Sequence, residues 1–270
     1  MTAPSTLRPD SSRKAPAMSD VLTLSSPRTD IAVRRTAPSL PTLVGIELRK
    51  SLSTRSGKSL AAASVLLAPA GATVAAAAST EPLSSVTGPI GALGMLTGLV
   101  LISLGVLSTA GEWSHRTVQT TYLLVPHRGR VQVTKAVAVA LLGAALAALS
   151  ALLTLGVLAV MVSGASWAGA GVAVGAVVAA GAAFAVIGAG VGAAMGNTPA
   201  ALTSLYLTIL GVLPIVNTFK PKIGSKLDPA GATLALAQGE YRTQSILILT
   251  GWVVVASVAG WILTHRRPVS

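Results

Sequence analysis

Two apolar runs, GPIGALGMLTGLVLISLGVLSTA (88–110) and AVAVALLGAALAALSALLTLGVLAVMV (136–162), contain no charged residue. Each exceeds the roughly 18 apolar residues at which a segment reads as membrane-spanning. Backbone polar groups in lipid have no water to bond, so such runs must be helices; the alternation of a barrel strand is absent. Between them lies the polar stretch GEWSHRTVQTTYLLVPHRGRVQVTK (111–135), with Glu112, Arg116, Arg128, Arg130, Lys135, His115 and His127. A stretch this polar belongs in water or against another protein.

The rest of the chain fits an integral membrane protein. Only 10% of the residues are charged and 52% are hydrophobic, far from the quarter-charged balance of a soluble domain. The net charge of +12 comes from Lys and Arg that mostly flank apolar runs or lie in the first 40 residues. That is a pattern of lipid anchors and topology signals, and it argues against a nucleic-acid partner. With no cysteine, disulfide and thiol chemistry are excluded. Residues 1–41, rich in Pro, Ser, Thr and Arg, read as a disordered tail without the apolar core of a secretory signal; Met18 is an alternative start.

Six spans are predicted, at about 60–79, 89–110, 136–162, 168–195, 200–218 and 245–264, within a transmembrane unit covering 59–264 and followed by a short tail, 265–270. The fold class is therefore all-α. The fourth and fifth spans are joined only by GNTP (196–199), with Pro199 placed to open the fifth. Arg49, Lys50, Arg55, Lys58, Arg116, Arg128, Arg130, Lys135, Arg266 and Arg267 then share one side, against Lys220, Lys222, Lys226 and Arg242 on the other. The positive-inside bias puts both termini in the cytoplasm of a multi-pass plasma-membrane protein.

Gly188, Gly192 and Gly196 recur every four residues, as do Gly171 with Gly175 and Gly94 with Gly98. Small residues on one stripe let helices approach in lipid, here within one bundle. No Asp, Glu, Lys, Arg or His falls inside a predicted span, which weighs against a proton- or sodium-coupled secondary transporter.

Residues 42–58 are predicted as an amphipathic interfacial helix, with Val44, Leu48 and Leu52 on one stripe and Glu47, Arg49, Lys50 and Arg55 away from it. Gly57-Lys58-Ser59 ends like a phosphate-binding loop, but Leu52 stands where its first glycine is needed and no strand precedes it. Gly188, Gly190 and Ala193 imitate a dinucleotide fingerprint inside an apolar span, where glycine serves packing. In the 219–244 loop, Asp228 as cap, Pro229 at the first position and Gly239 as terminator predict an outer-surface helix over 229–238. Thr203, Ser204, Tyr206, Thr208 and Asn217 are candidates for the polar lining of a substrate path, although such groups more often bond between helices.

In the island, Gly111 ends the second span and Glu112 to about Leu124 can form a surface helix, with Glu112 and Arg116 in the favourable i,i+4 order. Pro126 stops that helix. Arg128 and Arg130 form a basic turn before Lys135 opens the third span. Trp113 and Tyr122 suit the headgroup zone.

The series Gly111-Glu112-Trp113, Thr117, Leu124 beside Leu123, Pro126, Arg128 and Lys135 strongly resembles the permease subunit of type 2 ABC exporters. The likeness extends over about 42–264, through the six-span layout, the helix before the first span and the long last external loop. It departs from the family pattern at His115 and in the glycine-rich fourth span. The resemblance implies a cytoplasmic coupling helix in the island that, with the amphipathic helix, docks a separate ABC ATPase subunit. Gly111, Glu112, Trp113, Arg116, Thr117, Leu124, Pro126 and Arg128 would carry that coupling. It also implies a second permease, as an identical copy or a paralogue. The chain would then be no enzyme itself and would hold no cofactor, with ATP and Mg on the partner. A secondary transporter and a non-transporting membrane scaffold are the rival readings.

Overall fold

Helices account for nearly every segment of the computed structural model, which describes residues 39–80, 82–114 and 128–267. Six are long and apolar enough to cross a membrane. A helix α1 (Leu40–Ser53) precedes the first of these, α2 (Arg55–Ala78). The next three are α3 (Thr87–Ser114), α4 (Arg128–Met161) and α5 (Ala170–Met195). The fifth candidate span is composite: α6 (Thr198–Tyr206), a π-helical turn (Leu207–Val212) and α7 (Leu213–Phe219). Two short helices, α8 (Pro221–Gly224) and α9 (Pro229–Gln238), lead to the last span, α10 (Arg242–Arg266). Each of the six predicted spans coincides with one of these helices, with ends displaced by up to about eight residues.

Local chemistry sets the boundaries. Ser39 caps α1, its hydroxyl accepting from the Thr42 amide, and Thr54 restarts the chain as α2 by accepting from the Gly57 amide at 3.0 Å. The predicted single helix over 42–58 is thus two helices meeting at an elbow. Gly57 sits where the last turn of α1 presses, and a Cβ there would collide with the Ser51 carbonyl. Asn197 caps α6 through the Ala200 amide at 3.0 Å, with Pro199 in the first turn as expected.

A π turn interrupts the regular helix at Leu207–Val212. Pro214 has no N–H to offer and its ring crowds the preceding turn, so the helix widens just upstream and the Leu213 amide reaches back to the Thr208 carbonyl.

Helix α5 is the spine of the bundle and packs against α3, α4 and α10. Gly188 and Gly192 lie against the α3 backbone at Ile102 and Val106, and Gly94 and Gly98 receive Val177 and Phe184. These glycine stripes pack within the bundle. The Gly171–Gly175 stripe faces open space among the described residues, so the packing expected of it is not made. Hydroxyls add interhelical bonds: Thr97 to Ser150 at 3.1 Å, and Thr109 to the Ala189 carbonyl at 2.9 Å.

The α2–α3 and α4–α5 connections meet at one end, where the Val86 amide donates to the Ser166 carbonyl and the Ser166 amide to that of Ser84. Helix α9 has the predicted ends: the Asp228 carboxylate accepts from the Ala230 amide at 2.9 Å, and Gly239 adopts φ +80°. One face of it packs into the bundle. Pro229, Ala232, Thr233 and Ala237 are buried, and Ala237 and Leu234 close over Gly91 of α3. Its small side chains let it slot between α3, α5 and α10.

Candidate functional site

At the opposite end from the Ser85–Ser166 contact, four charged side chains from three helices meet. The α1 residues Glu47 and Lys50 are one turn apart, Glu112 lies on the last turn of α3, and Lys135 on the second turn of α4. Lys50 Nζ lies 2.9 Å from Glu47 and 2.5 Å from Glu112. Lys135 Nζ lies 2.6 Å from Glu47 and 2.7 Å from Glu112, and also donates to the Ser108 carbonyl at 3.3 Å. Charges alternate around this ring, and each ammonium bridges both carboxylates.

Three of the four members are shielded from water, while the Lys50 side chain is 43% exposed. Lys135 is 6% exposed, and the Glu47 and Glu112 side chains are 13% and 12% exposed. Burial by itself pushes the Glu47 carboxyl up, but the Lys135 and Lys50 ammoniums outweigh it and hold the group below its ordinary 4.5. Burial likewise pulls Lys50 down, and the Glu112 and Glu47 carboxylates more than reverse that, raising it above 10.5. Such a buried, mutually satisfied cluster adds little net stability over an apolar contact, yet it fixes which groups must sit together.

A second fastening lies beside it. The Arg267 guanidinium stacks 5.5 Å from the centre of the Trp113 ring and donates to the Ala193 and Ala194 carbonyls, at 3.3 and 2.5 Å, where α5 runs out of helical partners. Gln132 joins α4 to α10 through the Thr264 hydroxyl at 2.9 Å. Consecutive residues of α3, Glu112 and Trp113, therefore hold different neighbours. Next to the ring, a groove of about 640 Å³ runs between the α1–α2 elbow, the end of α3 and the start of α6. Ser53, Thr54, Ser108 and Thr198 line it beside Leu60 and Leu104.

Gly111 does not end a helix; α3 runs through it to Ser114, and nothing stands within 4 Å of a Cβ built there. Arg128 and Arg130 lie in the first turn of α4 and form no separate basic turn, and Lys135 lies within α4 instead of opening it. Glu47, expected on the polar side of the first helix, is half-buried with Leu43, Val44, Leu48 and Ser51, whereas Leu52 is exposed. Arg116, Thr117, Leu124 and Pro126 lie outside the described residues, as do His115, Tyr122 and His127 and nearly all of the surface helix expected over 112–124.

The candidate path residues do not converge. Thr203 and Asn217 are exposed, and the Ser204 and Thr208 hydroxyls bond back to the Ala201 and Ser204 carbonyls. Tyr206 instead braces α6 on α3, its hydroxyl 2.7 Å from Ser103 and donating to the Leu99 carbonyl at 2.8 Å. Sequence reasoning missed Glu47 and Arg267. Acidic scarcity was the signal for the first: the chain has only eight Asp and Glu, and Glu47 stands beside Arg49 and Lys50 ahead of the first span.

No family model matches the chain, and no curated protein matches it. What the structure itself establishes is a helical protein with six candidate membrane spans.

Proposed function

We propose that this chain is the membrane-spanning permease subunit of an ATP-driven exporter of the type 2 ABC class, moved by a separate ATPase that supplies ATP and Mg. The motif Gly111-Glu112-Trp113 with Thr117, Leu124, Pro126, Arg128 and Lys135, set between the second and third of six spans, supports this reading. The observation that carries it is the Glu47–Lys50–Glu112–Lys135 ring, which fastens α1 to both helices flanking the 115–127 segment. A push delivered to α1 or to that segment would reach α3 and α4 together, and through Trp113 and Arg267 would reach α5 and α10. No covalent step is required of this chain; its part is to convert motion of the partner into rearrangement of spans.

The same reading puts the ring end in the cytoplasm of the plasma membrane, since Arg49, Lys50, Arg55, Lys58, Arg130, Lys135, Arg266 and Arg267 gather there. A second permease, identical or paralogous, completes the exporter.

Copurification with an ATPase encoded beside this gene, followed by transport in reconstituted vesicles, tests the proposal. Glu112→Ala is expected to leave ATP hydrolysis running while transport falls. Failure to bind any such ATPase, or unchanged transport in the variant, would refute the reading and favour a scaffold.

A further inference from the structure

The chain between α7 and α9 combines unpaired charge with exposed apolar surface. Within nine residues, Lys220, Lys222 and Lys226 are all exposed and make no ion pair among the described residues. Interleaved with them, Phe219, Ile223 and Leu227 are 76%, 53% and 47% exposed. The nearest acid in sequence, Asp228, is occupied as the cap of α9. Three ammoniums without a carboxylate partner, set among three bare apolar side chains, suit an interface better than plain water or plain hydrocarbon.

The depth of the segment resolves this. Gln244, in the first turn of α10, donates to the Ser225 carbonyl at 3.4 Å, and the Trp252 indole donates to the Leu227 carbonyl at 2.8 Å. Arg242 to Trp252 spans about 15 Å of helix, so the segment runs alongside the first turns of α10 and below its tip. Gly224, buried against the Asn217 backbone, holds the turn in place. At that level an apolar side chain meets acyl chains, while a lysine stem reaches outward to the phosphate plane.

We propose that Phe219–Leu227 is a binding surface for anionic phospholipid headgroups in the leaflet opposite the α1 end, with Lys220, Lys222 and Lys226 taking the phosphates and the three apolar side chains seated among the acyl chains. The surface answers the one departure from the positive-inside pattern: these lysines stay on the far side because lipid phosphate holds them there. It requires only that the chain crosses a bilayer, so loss of the exporter reading leaves it standing.

Because the chain has no native cysteine, Ser225→Cys in the full-length protein gives a single labelling site within the segment. A fluorophore there is read in vesicles containing doxyl-labelled phosphatidylglycerol or doxyl-labelled phosphatidylcholine at equal mole fraction. Quenching by the anionic lipid is expected to be about twofold stronger or more, and to weaken with salt as surface charges are screened. Lys220→Gln, Lys222→Gln and Lys226→Gln together should erase the difference, and the corresponding Arg substitutions should keep it. Equal quenching by the two lipids, or a difference that survives the Gln variant, would overturn the proposal. So would its abolition by soluble glycerol phosphate at an ionic strength where sodium chloride has no effect, which would assign the lysines to a soluble anion.

Discussion

Lys135 Nζ lies 2.6 Å from a carboxylate oxygen of Glu47, a residue 88 positions earlier in the chain, across the junction of α4 with α1. The contact fastens a helix that precedes all the candidate spans to the third of them. Around it, Lys50 and Glu112 complete a ring whose members depend on one another.

Removing one member should therefore cost more than removing a matched pair. Glu47→Leu leaves the buried Lys135 with half its countercharge and is expected to destabilise the protein by about 3 kcal/mol. Lys135→Met in the same chain should recover much of that loss. Thermal unfolding of the detergent-solubilised variants checks both; equal melting of Glu47→Leu and the parent would show that the ring is not formed.

The Glu47 and Lys50 contributions to the ring should be insensitive to pH across the physiological range. Glu47 has a lowered pKa, so its contribution is complete above 4.5 and disappears only as pH falls through the lowered value. Lys50 has a raised pKa, so its contribution is complete below 10.5 and is lost as pH climbs through the raised value. Spin labels on Gly45→Cys and Ser114→Cys should report one α1–α3 distance between those limits and a broadened one in stronger acid. A transition near neutrality would contradict this account.

Gly57→Ala should disturb the elbow, because the added methyl meets the Ser51 carbonyl. Gly45→Ala, with nothing within 4 Å, should instead stabilise α1 by up to about 1 kcal/mol through helix propensity. Comparing the two melting temperatures separates the effect of crowding from that of adding a methyl group.

Tyr206→Phe removes the hydroxyl that bonds Ser103 and Leu99. A cost of about 1 kcal/mol in stability is expected, with vesicle transport unchanged if the group is a brace. Lost transport at unchanged stability would return Tyr206 to the substrate path.

The features written most plainly in the sequence were those that depend on neighbours a few positions away. Asp228, Pro229 and Gly239 delimit α9 because capping is local chemistry, and the spans follow from runs of apolar residues that no distant contact alters. The burial of α9 was hidden, since it depends on Gly91 nearly 150 residues earlier leaving room for Ala237. The placement of Glu47 is hidden for a related reason: an acid looks solvated until its lysine partners arrive from elsewhere. The π turn escaped notice because a 3.6-residue period assumes an unbroken α-helix, and Pro214 does not permit one.

The contacts of α5 also bear on which substitutions this protein can accept. Where Gly188 and Gly192 rest on the α3 backbone, and Gly190 on that of α10 at Ala256, the gap is smaller than a methyl group. Mutational intolerance should therefore concentrate in one uncharged, chemically plain helix. The outward faces of α2, α6 and α10 should drift freely among apolar residues, so that distant relatives would agree best along the segment that looks least informative.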